Sequence, residues 1–181
     1  MLLKHQKLHH FCTIEIIKKI EYKKMKLIIL SFGKTHNDAM KQLVDDYVKR
    51  ISRYNDIEHV IIKEPAGHTS LPQTEQKKKE SALFIKYIVG GDYCVIMDEN
   101  GKNIDSIAFS NMVQQTLNKS YKRMVFIIGG PYGFDKEILA RADYKLALSA
   151  MTFPHELARV VLSEQIFRAF SILNNTPYHH Y

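Results

Sequence analysis

Leu27–Leu30 and Val125–Ile128 are the purest apolar runs in this chain, and both are strand-sized. They fall well short of the roughly 20 consecutive apolar residues that a membrane-spanning helix needs. Between such runs lie stretches with helical spacing. Met40, Leu43, Val44, Tyr47, Val48 and Ile51 share one face of a helix predicted over Asn37–Arg53. Strands are predicted at Lys26–Lys34, His59–Ile62, Tyr93–Met97, Met124–Ile128 and near Lys145–Leu148. Helices are predicted at Thr74–Ile88, Ile104–Leu117, from Asp135, and over Pro154–Leu173. Pro65–Gln73 reads as a mobile loop, and Asp98-Glu99-Asn100-Gly101 as a turn closing the third strand. Strand and helix alternating at this spacing predict an α/β fold, a parallel sheet with crossover helices.

Length and charge refine that picture. A chain of 181 residues gives a prior of one domain and buries enough surface to need no disulfide or metal staple. Cys12 and Cys94 are far apart and no CxxC occurs, so a zinc ribbon or thioredoxin motif is excluded, and a reduced cytoplasmic setting is expected. The net charge of +7 favours an acidic partner, but it is unevenly spread. Residues 1–24 hold six lysines against Glu15 and Glu21, a surplus of four. The other 157 residues hold 20 basic and 17 acidic residues, a surplus of three. We read 1–24 as a basic N-terminal extension, disordered or a helical appendage, and 25–181 as a single domain. The leader has no uninterrupted apolar core, so it is not a signal peptide.

Four segments are candidates for chemistry. Gly129-Gly130-Pro131-Tyr132-Gly133 follows the fourth strand, where parallel sheets bind ligands. It is neither GxGxxG nor a P-loop. It serves equally well as a place where backbone approaches a ligand or as a turn needing positive φ. Leu148-Ser149-Ala150-Met151-Thr152-Phe153-Pro154-His155 has the mixture of an adenine-sized pocket, although pattern alone favours an ordinary connection with Thr152 as helix cap. The last helix is apolar all round, which predicts one face on the sheet and another on a second subunit. Arg159 follows His155 on one face. Glu164 and Arg168 form an i,i+4 pair whose simplest role is a structural salt bridge. The tail Pro177-Tyr178-His179-His180-Tyr181 lacks a third ligand for a metal, yet Tyr and His together stack on and titrate against a base.

These segments together resemble a known family. Phe126–Gly133, Leu148–His155, Arg159-Val160-Val161-Leu162, Glu164-Gln165-Ile166-Phe167-Arg168-Ala169 and Tyr178-His179 are similar to the ribosomal RNA large subunit methyltransferase H family of the SPOUT superfamily. The resemblance runs from Met25 to Tyr181 and leaves 1–24 outside. It implies a trefoil-knotted α/β fold near the C-terminus and a homodimer through the last helix. It also implies S-adenosyl-L-methionine as methyl donor, S-adenosyl-L-homocysteine as product, and no metal. The substrate implied is N3 of pseudouridine 1915 in 23S rRNA, within the ribosome or large subunit. Donor contacts carried over are Met97, where the family usually has Leu, then Gly130 and the loop Ser149, Ala150, Met151, Thr152, Phe153 and Pro154. Phe167 stands where Tyr is common, and His180-Tyr181 extend the family's tail.

N3 must lose a proton before it attacks, so a base or a cation is required. His179 is the leading proton acceptor, with Tyr178 orienting the base. Arg159 and Arg168 are expected at phosphate or anion positions, and His155 either shapes the loop or faces RNA. Two alternatives from other classes are a flavin- or nucleotide-binding module and a non-catalytic ribosome-binding factor.

Overall fold

A computed structural model describes residues 24–180. Expectations for 1–23 and for Tyr181 lie outside the described residues. Five parallel strands form one sheet: β1 (Lys26–Phe32), β2 (Ile57–Ile62), β3 (Asp92–Asn103), β4 (Arg123–Ile128) and β5 (Tyr144–Ala147), in the order β2-β1-β4-β3-β5. The α-helices are α1 (Asp38–Ile51), α2 (Gln73–Tyr87), α3 (Ser106–Leu117), α4 (Lys136–Arg141) and α5 (His155–Leu173).

The apolar runs are buried because the sheet is covered on both faces. Successive strand side chains point to opposite faces. Leu27 and Ile29 of β1, with Met124 and Phe126 of β4, therefore enter a core beneath α1, α3 and α5. Ile28, Leu30, Val125 and Ile127 enter a second core that includes Phe84 of α2 and Ile138 of α4. A strand flanked by two cores has no polar face, hence the unbroken apolar runs. Met25 is already buried, and Asn55 clamps it by donating to its carbonyl and accepting from its N–H.

Helix boundaries follow local chemistry. Asn37 Oδ1 accepts from Met40 N–H at 3.1 Å and starts α1. Asp105 Oδ1 does the same for Ala108 N–H at 2.7 Å and starts α3. Thr152, expected to cap the last helix, does not. Pro154 occupies the cap position of α5 without a side-chain bond, while Thr152 Oγ1 donates to Glu99 Oε2 at 3.2 Å.

Two segments depart from the sequence expectation. β3 does not end at Met97. Its chain swings out at 98–101 and then pairs again, so that Met97 and Lys102 both register with Leu146 of β5. The expected loop 65–73 contains a single 3₁₀ turn at His68–Ser70 and is pinned. Gln76 Nε2 donates to Leu71 O at 2.7 Å, and His68 is 3% exposed.

α5 packs between α1 and α3 and buries Leu162, Ile166, Ala169, Phe170 and Leu173. Leu157, Val160, Val161 and Phe167 remain half-buried in the single chain. No helix among the described residues is long and apolar enough to cross a membrane.

Candidate active site

At the carboxyl ends of β3, β4 and β5 lies a cavity of about 470 Å³, the size class of a small-molecule site. Met97 and the 98–100 excursion form one wall. Ile128 through Phe134 form a second, and Leu146, Leu148, Ser149, Met151, Thr152 and Phe153 a third. Lys77 of α2 and Leu139 of α4, with His155 and Ala158 of α5, complete the lining. The lining combines apolar side chains with hydroxyl, carboxylate, ammonium and imidazole groups.

Most of the expected donor contacts converge here: Met97, Gly130, Ser149, Met151, Thr152 and Phe153. Ala150 and Pro154 lie in the same loop but do not line the cavity. Ser149 Oγ accepts from Met151 N–H at 2.9 Å, a tight local turn that leaves Met151 75% exposed at the mouth. Asp98, Glu99, Asn100 and Lys77 were not anticipated. The first three read as a plain turn, and Lys77 as part of a solvated lysine run.

The two glycines after β4 have a reason that sequence did not reveal. Neither has positive φ; only Gly133 in that turn does, at 72°. A Cβ on Gly129 would lie 3.0 Å from the Phe134 ring. One on Gly130 would lie 2.7 Å from both carboxylate oxygens of Glu80. The carboxylate occupies the space behind the turn, so the missing side chain makes room for protein rather than for ligand.

The far end of α5 carries a second cluster. Arg168 Nε and Nη2 donate to Glu164 Oε1 at 3.0 and 2.5 Å. Tyr178 OH donates to the same oxygen at 3.1 Å, and its ring lies 4.9 Å from the guanidinium carbon. The Phe167 ring meets Tyr178 edge-on at 4.7 Å. Burial, the Tyr47 hydrogen bond and the Glu164 carboxylate all raise the Tyr178 phenol pKa, so it stays protonated. The Glu164 hydrogen bond holds the Arg168 charge firmly in place. Arg168 Nη1 lies 3.3 Å from His179 Nδ1. Arginine only donates, so this geometry makes Nδ1 an acceptor. The pair predicted as a structural salt bridge is thus also the anchor of the tail. Arg168 is 13 residues beyond His155, about 20 Å along the helix at 1.5 Å per residue. Cavity and tail cluster are therefore far apart within one chain.

Arg159 is not at the surface, as a phosphate contact would require. It is fully buried. Nη1 donates to Thr35 Oγ1 at 2.7 Å and Nη2 to Phe32 O at 2.6 Å, which ties α5 to the end of β1. Burial lowers its pKa, opposed by Glu156. Its charge is felt nearby. His155 is pushed down by burial and then by Arg159. His59, whose Nε2 lies 3.0 Å from Ser31 Oγ, is pushed to about 4 by the same two causes in the same order.

His59 therefore stays neutral in the folded protein while the unfolded chain binds a proton from about pH 6.5 downward. The stability it contributes is complete above that pH and is lost as pH falls toward 4, up to about 3 kcal/mol. Urea unfolding between pH 7 and 4.5 should show this loss. His59→Gln should flatten that part of the profile; an unchanged slope would assign acid sensitivity elsewhere.

Comparison with known proteins decides the family. A family model described as predicted SPOUT methyltransferase matches residues 25–179. The ribosomal RNA large subunit methyltransferase H of Flavobacterium psychrophilum is 41% identical over 156 residues, covering 86% of this chain and 99% of that protein. The protein of the same name from Christiangramia forsetii is 40% identical over the same shares. The chain belongs to the ribosomal RNA large subunit methyltransferase H family. As a SPOUT methyltransferase it is an enzyme that transfers a methyl group. Among solved structures, the SpoU methyltransferase AviRb from Streptomyces viridochromogenes in complex with AdoMet aligns with a TM-score of 0.40 at 10% identity, over 82% of this chain and 58% of that one. Among the described residues of this family member, no group of three or more His, Cys, Asp or Glu is placed to hold a metal ion.

Proposed function

We propose that this protein transfers a methyl group from S-adenosyl-L-methionine to N3 of pseudouridine 1915 in 23S rRNA, in the cytoplasm, as a homodimer through α5. The observation that carries the reading is the cavity at the ends of β3, β4 and β5 in a chain of this family. The donor set suits the cofactor. Met97, Ile128, Leu146 and Leu148 offer an apolar slot for a purine. Asp98, Glu99 and Ser149 offer partners for ribose hydroxyls and an ammonium group, and Lys77 offers one for a carboxylate. Bound there, S-adenosylmethionine supplies a methyl carbon already activated by its sulfonium. The trefoil path belongs to the same proposal and is supported by membership of the SPOUT family.

The chain's own residues then have two tasks. The cavity walls exclude water and fix the donor's direction, which is the larger part of the rate for an activated electrophile. The tail handles the N3 proton. Arg168 stabilises the developing anion, and His179 accepts the proton at Nδ1 as Arg168 turns from it toward the base. Tyr178 supplies a stacking face. Since the tail cluster lies about 20 Å along α5 from His155, the half-buried α5 face is where a second subunit would bring one chain's tail to the other's cavity.

The deciding assay offers labelled S-adenosylmethionine with free 23S rRNA, large subunits and whole ribosomes lacking the modification. Methyl incorporation mapped to N3 of the pseudouridine supports the proposal. No incorporation into any of the three rejects it, and leaves the ribosome-binding alternative.

The domain boundary is part of the proposal. Deleting 1–24 removes more than half of the net positive charge. It should weaken nonspecific RNA binding and its salt dependence while sparing methyl transfer. Loss of activity in a folded deletion product would overturn the boundary.

A further inference from the structure

The most telling polar group that this mechanism does not use is Glu80. It sits on α2 behind a run of three lysines, yet it is 2% exposed. Its Oε2 accepts the Gly130 N–H at 3.0 Å, and its Oε1 lies 2.9 Å from His68 Nε2. His68 is also buried, and its ring stands 5.0 Å from that of Phe32 at the end of β1. A carboxylate so deeply enclosed costs several kcal/mol unless its partners repay it. Here the repayment goes into fixing one peptide, that of Gly130, which walls the donor cavity.

We infer that Glu80, held by His68, is a positioning residue for methyl-donor binding: it sets the Gly129-Gly130 backbone that forms the cavity wall. The inference rests on the donor reading above. Three observations converge on it. The Gly130 N–H is already committed to Glu80, so it is oriented away from any ligand. The space that a side chain at 130 would occupy is filled by the same carboxylate, so glycine and glutamate are a matched pair. Finally, His68 reaches this carboxylate from a turn pinned to α2 by Gln76, so the 65–72 segment and the cavity wall are mechanically continuous.

The chemistry predicts a graded response. In Glu80→Ala the Gly130 N–H is orphaned and a void opens behind it. In Glu80→Gln the amide oxygen still accepts from Gly130. The amide nitrogen then faces His68 Nε2, which must become an acceptor and move its proton to Nδ1, a buried atom with no partner among the described residues. The glutamine variant should therefore be intermediate.

The test is calorimetric titration of the full-length protein with S-adenosylhomocysteine, beside thermal unfolding and amide exchange at Gly130. Ile51→Val, a change in the other core at the end of α1, controls for general loss of stability. Glu80→Ala should weaken binding roughly tenfold or more, Glu80→Gln less, and Ile51→Val by under about twofold, because a misplaced wall costs binding where a loosened distant core does not. The donor KM should rise in the same order with the KM for rRNA unchanged, and Gly130 should exchange faster in both Glu80 variants. If Glu80→Ala does not fold, Glu80→Gln decides alone. Unchanged affinity in a folded Glu80 variant, or an equal loss in Ile51→Val, would overturn the inference while the donor reading stands. Failure of the unaltered protein to bind S-adenosylhomocysteine would remove the donor reading and this inference with it.

Discussion

Gly101→Ala should lower the stability of the folded chain by about 3 kcal/mol or more, at the upper end of what overpacking costs. A Cβ at this position would lie 2.7 Å from Leu146 N and from Lys145 C, and 2.8 Å from Leu146 C. All three are backbone atoms of β5, so no side chain can turn aside to relieve the clash. β5 is held from both directions, because Leu146 registers with Met97 before the excursion and with Lys102 after it. Making room means parting β3 from β5, which disturbs Leu146 and Leu148 in the cavity as well. A shift in the unfolding midpoint of roughly 6–12 °C is expected for a chain of this length. Gly90→Ala is the control, because nothing lies within 4 Å of its missing Cβ. It should fall within about 0.5 kcal/mol of the parent. Equal behaviour of the two variants would mean that β5 does not run against Gly101 as described.

His179→Ala should reduce methyl transfer by a hundredfold or more, within the usual range for loss of a proton-transfer group. Affinity for S-adenosylhomocysteine should stay within about twofold, since His179 acts on the N3 proton and not on the donor. The two readouts separate cleanly because no described tail residue lines the cavity of its own chain. Undiminished turnover would remove His179 from the chemistry and leave Arg168 as the group acting on the N3 anion. The same variant tests whether the site is shared. His179→Ala chains mixed with chains whose cavity is filled by Leu148→Trp should regain activity if one chain's tail serves the other's cavity. Two inactive partners that stay inactive when mixed would place both tasks in one chain.

Much of the fold was legible because its signals are local. Apolar runs bounded by turn residues marked β1 and β4, and helical spacing marked α1 and α3, which Asn37 and Asp105 cap. The turn at 98–101 was also legible. Its sequel was not, because re-pairing at Lys102 depends on Leu146, more than forty residues away. The site divides along the same line. The 149–153 loop and the Gly130 turn were singled out through the family resemblance, since their pattern alone allows an ordinary connection and an ordinary turn. Glu80 could not, since its partners are His68 and a peptide 50 residues on, and three lysines beside it suggest solvent. Arg159 misled for a related reason. Its place on one helix face with His155 was read correctly, but a backbone carbonyl and a threonine at the β1 end had already claimed it.

The strand order also bears on when the enzyme can exist during its own synthesis. Lys26 pairs with Arg123, and β5 is both the last strand made and the sheet's outer edge. Until β4 emerges, β1 and β3 have no common neighbour, and until β5 docks, one whole side of β3 presents unpaired backbone. Such long-range parallel pairing is slow to form and exposed to aggregation while it waits. The cavity draws its lining from residues spread between Lys77 and Ala158, so it is complete only when β5 and the start of α5 are in place.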